Sequence, residues 1–234
     1  MSTTTIAAIS GKITARVASV HIDPACNTFL NDCFRQFGIT VVAADGDPII
    51  LLNRQKFEAC VLRLYDPDAD RILKAARNSP SNRRLVIYGI ARNTQEALRF
   101  STYGINAVLD EPLDRQSVLK VVRATHLLVI HELRRYVRIP IVVQVEIDVG
   151  GRAPVPGTAV EVSSGGISIR CLTQLPKTEP IRLILTLPGI EKLSVRAFVC
   201  WYRESDKVYG MRFDPTDERR LKVRGWIDQY LEIV

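Results

Sequence analysis

The sequence predicts an α/β doubly wound parallel five-stranded sheet followed by a six-stranded antiparallel β-barrel with a C-terminal helix. Three observations predict it. Short apolar runs alternate with helix-period stretches up to about residue 125. From residue 139 the apolar side chains recur instead at every second position, between turns rich in Gly and Pro. At 234 residues the chain also exceeds the usual size of one domain. The expected division is 13–125 for the first domain, 126–138 for a helical linker and 139–234 for the barrel.

Residues 17–22 are an apolar run ending at Asp23-Pro24, after which Phe29, Leu30, Cys33, Phe34 and Phe37 recur at helical spacing until Gly38 stops the helix. Further runs at 39–44, 59–64, 85–90 and 107–109 read as strands. Residues 48–55, 69–77 and 94–103, the last closed by Gly104, read as helices. Strand and helix in alternation imply a parallel sheet covered on both faces. From 114 to 135 there is no Gly or Pro, and Leu119, Val122, His126, Val129 and Leu133 repeat at steps of three and four. This predicts a helix of about 20 residues, about 30 Å long. Its 127–133 portion is apolar on more than one face and calls for a partner. The second domain is one choice; the same helix of another subunit is the other, so that 115–133 offers a homodimer contact. His126 and His131 read as packing or surface residues.

The order and spacing over 13–125 resemble a response-regulator receiver domain. A working receiver has acidic residues after its first strand, an Asp nucleophile ending the third, a Ser or Thr ending the fourth and a Lys before a Pro after the fifth. Here those places hold His21-Ile22-Asp23, Arg63, Ile90 and Glu111, so only Asp23 and Pro112 match. With Arg63 at the nucleophile position there is neither an attacking carboxylate nor a Mg²⁺ ligand, and no phosphorylation site is expected. The domain reads as a pseudo-receiver. The signs at 63 and 111 are exchanged, which predicts an Arg63–Glu111 ion pair beside a cis Glu111-Pro112 bond. Asp66, Asp68 and Asp70, interrupted by Pro67, read as a loop and helix cap, and no metal site is expected.

In the second half Ile139, Ile141, Val143, Val145 and Ile147 alternate with Pro140, Val142, Gln144, Glu146 and Asp148, the period of a strand with one buried face. Gly150-Gly151 ends it. Strand-like runs follow at 158–162, 167–172, 181–187, 193–202 and 208–213, separated by Gly165-Gly166, Pro188-Gly189 and Asp206-Lys207. Short, evenly spaced strands of this kind make a small antiparallel barrel. Asp214-Pro215 reads as an N-cap with Pro at the first helical position, opening a helix whose Leu221, Val223, Ile227, Tyr230 and Leu231 lie against the barrel.

Arg134-Arg135-Tyr136-Val137-Arg138 gives Arg-x-x-x-Arg before the first of these strands, and Glu161-Val162-Ser163-Ser164-Gly165-Gly166 gives acid-x-Ser-x-x-Gly at the turn after the second. In this order, with a barrel and a helix, the two motifs resemble the PilZ domain over 130–234. That family has Asp or Asn where this chain has Glu161. The resemblance implies binding of cyclic di-GMP, with Arg134, Arg135, Arg138, Glu161, Ser163 and Gly166 as the binding residues. The chemistry of these side chains agrees. Each guanine of the ligand has O6 and N7 acceptors on one edge and N1 and N2 donors on another. Arginines can bind phosphate, pair with O6 and N7 or stack on a base, a carboxylate can accept from N1 and N2, Ser163 can donate to phosphate, and Gly166 lets the backbone approach.

Lys and Arg outnumber Asp and Glu 32 to 25, for a net charge of +7, and 24 of the cations are Arg. The excess is even, with 16 against 12 through Thr125 and 16 against 13 beyond it, so neither half is a basic tail. DNA binding is disfavoured because no helix-turn-helix with a basic recognition helix is present. No apolar stretch approaches the ~18 residues of a membrane helix, and residues 1–10 lack the pattern of a secretory signal, so a cytoplasmic location without membrane attachment is expected. Cys26, Cys33, Cys60, Cys171 and Cys200 contain no C-x-x-C pair and read as reduced. No nucleophile and base stand together and no Gly-rich loop opens a helix after a strand, so neither an enzyme nor a cofactor is expected. The function expected is a cytoplasmic cyclic di-GMP receptor in which the barrel senses the nucleotide and the pseudo-receiver relays to a protein partner. The alternative is a ligand-independent adaptor in which both modules are degenerate.

Overall fold

The structure, a computed structural model, describes residues 13–44, 46–151 and 153–233; the expectation about a secretory signal falls on 1–10, outside the described residues. The chain divides into a unit Thr14–Leu133 and a unit that contains Arg134–Val234.

In the first unit β1 (Ala15–Val20), β2 (Ile39–Ala43), β3 (Ala59–Arg63), β4 (Val86–Ala91) and β5 (Ala107–Asp110) form a parallel sheet of order β2-β1-β3-β4-β5. This is the doubly wound order of the receiver (CheY-like) fold. The helices are α1 (Pro24–Arg35), α2 (Pro48–Arg54), α3 (Ala69–Asn78), α4 (Thr94–Arg99) and α5 (Arg115–Tyr136). Strand residues alternate between two cores. Val17, Val61 and Tyr88 pack with Leu30 and Phe34 of α1 and Val118 and Val122 of α5. Val20, Leu62 and Ile87 pack with Leu52 of α2 and Ile72 and Leu73 of α3. Each such buried side chain contributes about 1.5–3 kcal/mol. Tyr88 meets Phe34 edge-on with ring centroids 5.2 Å apart, and its buried hydroxyl shares a 2.7 Å hydrogen bond with the Thr125 hydroxyl. Helix starts are fixed by Asp23, which accepts from the Cys26 amide at 2.9 Å, and Asp47, which accepts from the Ile49 amide at 2.8 Å.

Three expectations change here. The helix expected over 94–103 breaks after Arg99, because Phe100 is drawn into the core with φ −104° and ψ 13°, and a 3₁₀ turn Ser101–Tyr103 follows. Asp68 stands at the N-cap of α3 with φ −89° and ψ 0°, a backbone that does not aim its carboxylate at the helix amides; Asp66 Oδ1 accepts from the Asp68 amide at 2.8 Å instead. The α5 segment expected to need an outside partner finds most of it at home. Val129 is buried in the first unit's core with Ile130 and Leu133 packed against it, and Leu127 and Leu128 remain exposed. His126 lies against Phe37 with ring centroids 5.8 Å apart, and His131 is exposed.

In the second unit β6 (Ile139–Asp148), β7 (Val155–Ser163), β8 (Gly166–Arg170), β9 (Ile181–Leu185), β10 (Leu193–Arg203) and β11 (Val208–Phe213) close a barrel of order β10-β11-β8-β7-β6-β9. The inward positions of β6, Ile139 to Ile147 at every second residue, all lie in its core. Helix α6 (Arg220–Ile233) adds Val223, Trp226 and Ile227, and the Trp226 indole N–H donates to the Pro188 carbonyl at 2.8 Å. This helix starts later than expected. The Asp214 amide is drawn back to the Arg196 carbonyl at 2.9 Å, and the Asp214 carboxylate accepts from the Thr216 amide at 2.9 Å, so 214–216 form a turn at the strand end. Cys33, Cys60 and Cys171 are buried and Cys200 is exposed, all as free thiols. Among the described residues no helix is long and apolar enough to cross a membrane.

Candidate ligand-binding cleft

The barrel wall brings the second-half motifs together through strand register. Bulges in β6, β7 and β10 shift the pairing so that Pro140, Glu161, Ser168, Gly210 and Trp201 stand opposite one another across five strands. Two residues along, on the same face, Ser163, Gly166 and Arg212 form a second row. Two clefts open on this wall. One, of about 210 Å³, is lined by Arg138, Glu161, Ser163, Gly166, Trp201 and Arg212 among others. The other, of about 390 Å³, is lined by Arg138, Glu161, Arg170, Trp201, Arg203 and Asp206 among others. Arg138, Glu161, Ser168 and Trp201 line both.

Glu161 is the hub of this wall. Its Oε1 accepts from Arg138 Nη1 at 2.8 Å and from the Ser168 hydroxyl at 2.8 Å, so the carboxylate is held by one charged and one neutral donor. The Ser163 hydroxyl donates to the Gly166 carbonyl at 3.1 Å, across the two-residue turn between β7 and β8. Gly166 meets a steric demand of the barrel itself. A Cβ there would stand 2.1 Å from the Met211 carbonyl oxygen on β11. Gly210 has a similar role, since its Cβ would fall 2.0 Å from Trp201 Cε2; the indole lies directly on the glycine backbone. At the hairpin end Arg203 pairs with Asp206 through two bonds of 2.7 and 2.6 Å, and this guanidinium holds the Asp206 carboxyl below the usual carboxylate range.

Of the six residues expected at the site, Arg138, Glu161, Ser163 and Gly166 line the first cleft, and the other two arginines stand elsewhere. Arg134 Nε is 3.2 Å from Asp228 Oδ1 on α6, and the Arg135 guanidinium is 5.6 Å from the Tyr136 ring centroid. Both sit in the last turn of α5, where cations complement the exposed carbonyls. The clefts are also lined by Ser168, Trp201, Arg170, Arg203, Asp206 and Arg212, which lie outside the two motifs. Two of these carried a signal: counting by twos along β8 from Gly166 reaches Ser168 and then Arg170 on the same face.

In the first unit the carboxyl ends of β1 and β3 and the residue after β5 meet as anticipated, with a different emphasis. Arg63 Nη2 lies 2.7 Å from Asp23 Oδ2, whereas its Nε lies 3.6 Å from Glu111 Oε1. Arg92 takes the other Glu111 oxygen at 3.6 Å and rests 3.6 Å from the Tyr65 ring centroid. The Arg63 guanidinium draws the Asp23 carboxyl below its usual range. The Glu111-Pro112 bond is cis. Nearby, His21, Asp66 and Asp68 place one ligand-type atom each within 4.8 Å of one another, with His21 Nδ1 and Asp66 Oδ2 engaging each other at 3.1 Å. Asp70 leaves this group for the Tyr103 hydroxyl, which donates to it at 2.8 Å.

Residues 132–231 match the PilZ domain family. No curated protein matches the chain. Among solved structures the chain is similar to the receiver domain of a sensor histidine kinase from Pseudomonas aeruginosa, with 18% identity, coverage of 49% of this chain and 98% of that one, and a TM-score of 0.42. It is likewise similar to a chemotaxis response regulator of Vibrio cholerae (16% identity, 48% and 98% coverage, TM-score 0.43). A CheY-like receiver domain protein from Methanospirillum hungatei gives 16% identity, 51% and 99% coverage and a TM-score of 0.43.

Proposed function

We propose that the PilZ domain of residues 132–231 makes this chain a cyclic di-GMP receptor whose receiver-like domain passes the binding event to a protein partner without phosphorylation. The observation that carries the proposal is the meeting of Arg138, Glu161, Ser168 and Trp201, which line both wall clefts. A guanidinium, a carboxylate, a hydroxyl and an indole face together supply what a guanine nucleotide requires: phosphate and O6/N7 partners, an acceptor for N1 and N2, and a stacking plane. In the receiver-like domain Arg63 occupies the place of the nucleophile and is engaged by Asp23, so partner contacts rather than phosphoryl transfer are its proposed role.

Isothermal titration of the full chain with cyclic di-GMP tests the proposal. Wild type is expected to bind. Arg138→Ala is expected to lose about 2 kcal/mol of affinity, since a charged hydrogen bond to an anion disappears. Absence of binding by wild type would leave the ligand-independent adaptor as the function.

A further inference from the structure

We propose that Arg203 and Asp206, at the β10–β11 hairpin, read one of the two guanines of the bound nucleotide, so that base specificity extends beyond the Arg-x-x-x-Arg and acid-x-Ser-x-x-Gly segments. The inference rests on the cyclic di-GMP reading of the same wall. Cyclic di-GMP presents two identical bases, and the larger cleft holds two Arg–carboxylate pairs, Arg138 with Glu161 and Arg203 with Asp206. Each pair offers what one guanine needs: guanidinium donors for O6 and N7, or carboxylate acceptors for N1–H and N2–H. Adenine keeps the N7 acceptor but offers the reverse at positions 6 and 1, an amino donor in place of O6 and a bare N1 acceptor, and lacks the 2-amino group, so the same pair disfavours it.

The Arg203–Asp206 contact leaves this capacity open. Nε and Nη2 each donate once, to Oδ1 and Oδ2, which leaves the Nη1 hydrogens and further lone pairs on both carboxylate oxygens. Arg203 and Asp206 remain 58% and 36% exposed. The guanidinium carbon stands 5.7 Å from the Trp201 ring centroid, and the indole, seated on Gly210, is itself 40% exposed, so a base laid on it has its edge toward the pair. Closing the hairpin does not require the pair. The Lys207 amide already donates to the Glu204 carbonyl at 3.4 Å, and Lys207 supplies the left-handed turn residue at φ 55°.

The test compares cyclic di-GMP with cyclic GMP–AMP, in which one guanine is replaced by adenine, by titration of the full-length wild type, Asp206→Asn and Arg203→Ala. Wild type is expected to prefer cyclic di-GMP by about tenfold or more. Both variants are expected to bring the two ligands within about threefold of each other by weakening cyclic di-GMP alone. The inference is overturned if wild type binds both ligands equally, if the variants keep the wild-type ratio, or if they lose both ligands together, which is the mark of a structural role. Failure of wild type to bind cyclic di-GMP at all overturns the receptor reading first and this inference with it.

Discussion

A side chain at position 166 would have to pass through the Met211 carbonyl, 2.1 Å from its Cβ, and backbone cannot give way as a flexible side chain can. Gly166→Ala is therefore expected to destabilise the barrel by about 3 kcal/mol, measured as a shift in the denaturant midpoint of the full chain. A loss below about 1 kcal/mol would show that β11 can retreat. The glycine was legible as part of a motif, but its reason was not, because the demand comes from β11, far along the chain. Trp201 was invisible for the same cause: its place opposite Gly210 depends on a bulge after Val199. Glu161 was legible as a departure from the family's Asp or Asn, and its reach to Arg138 now explains what the longer side chain does. Glu161→Asp withdraws the carboxylate from that guanidinium and is expected to bind cyclic di-GMP as tightly as wild type or more so. Arg134 is a separate case, since it lines neither cleft and meets Asp228 on α6. Arg134→Ala should consequently weaken binding less than Arg138→Ala in the same titration.

At the scale of elements, the first arginine motif straddles a boundary that composition does not mark: Arg134 and Arg135 lie in the last turn of α5, Val137 is buried, and Arg138 leads into β6. Nucleotide bound at Arg138 would hold the amides from Tyr136 to Arg138 at the helix terminus, where fraying is easiest. Hydrogen exchange there is expected to slow on addition of cyclic di-GMP; unchanged protection would separate the site from the helix end. The start of α6 was misplaced because Asp214-Pro215 has the composition of a cap, while the pull of the Arg196 carbonyl on the Asp214 amide is a tertiary effect. The residue that anchors the approach to α6 is Asp217. It accepts from Arg219 Nε and Nη2 at 2.8 Å and from the Arg196 amide at 2.8 Å, and the Arg219 guanidinium foremost lowers its pKa from 3.8 to about 2. A depressed carboxyl stabilises the fold fully above its unfolded pKa, and that contribution fades as pH falls through the folded value. Wild type is accordingly expected to lose stability between about pH 5 and pH 2 more steeply than Asp217→Asn, in unfolding curves taken across that range.

For the molecule as a whole, the two architectures were legible because their hydrophobic periods differ: continuous runs where helices cover both faces of a sheet, strict alternation where a barrel has one wet face. That the receiver pattern keeps its acid at Asp23 and departs from it at Arg63 and Glu111 was legible as well, from the residue types alone. What the residue types could not rank was the geometry among them. Exchange of sign pairs Arg63 with Glu111, yet Asp23, the one acid kept from the receiver pattern, takes the 2.7 Å contact and Glu111 the 3.6 Å one, with Arg92 drawing on the other Glu111 oxygen. An acid that in a working receiver would help hold Mg²⁺ is here committed to a guanidinium. Two outcomes follow. Acetyl phosphate should leave no label on the chain, since the third strand ends in a cation and its flanking carboxylates are taken. Double-mutant cycles on stability should give Arg63–Glu111 a coupling of about 0.5 kcal/mol and Arg63–Asp23 a larger one, because the shorter contact is a charge-assisted hydrogen bond. Equal couplings would mean that the guanidinium is shared evenly. Zero coupling for both would mean that this pocket is held by its apolar neighbours, and a phosphorylated residue at β1, β3 or β5 would place this domain with the working receivers.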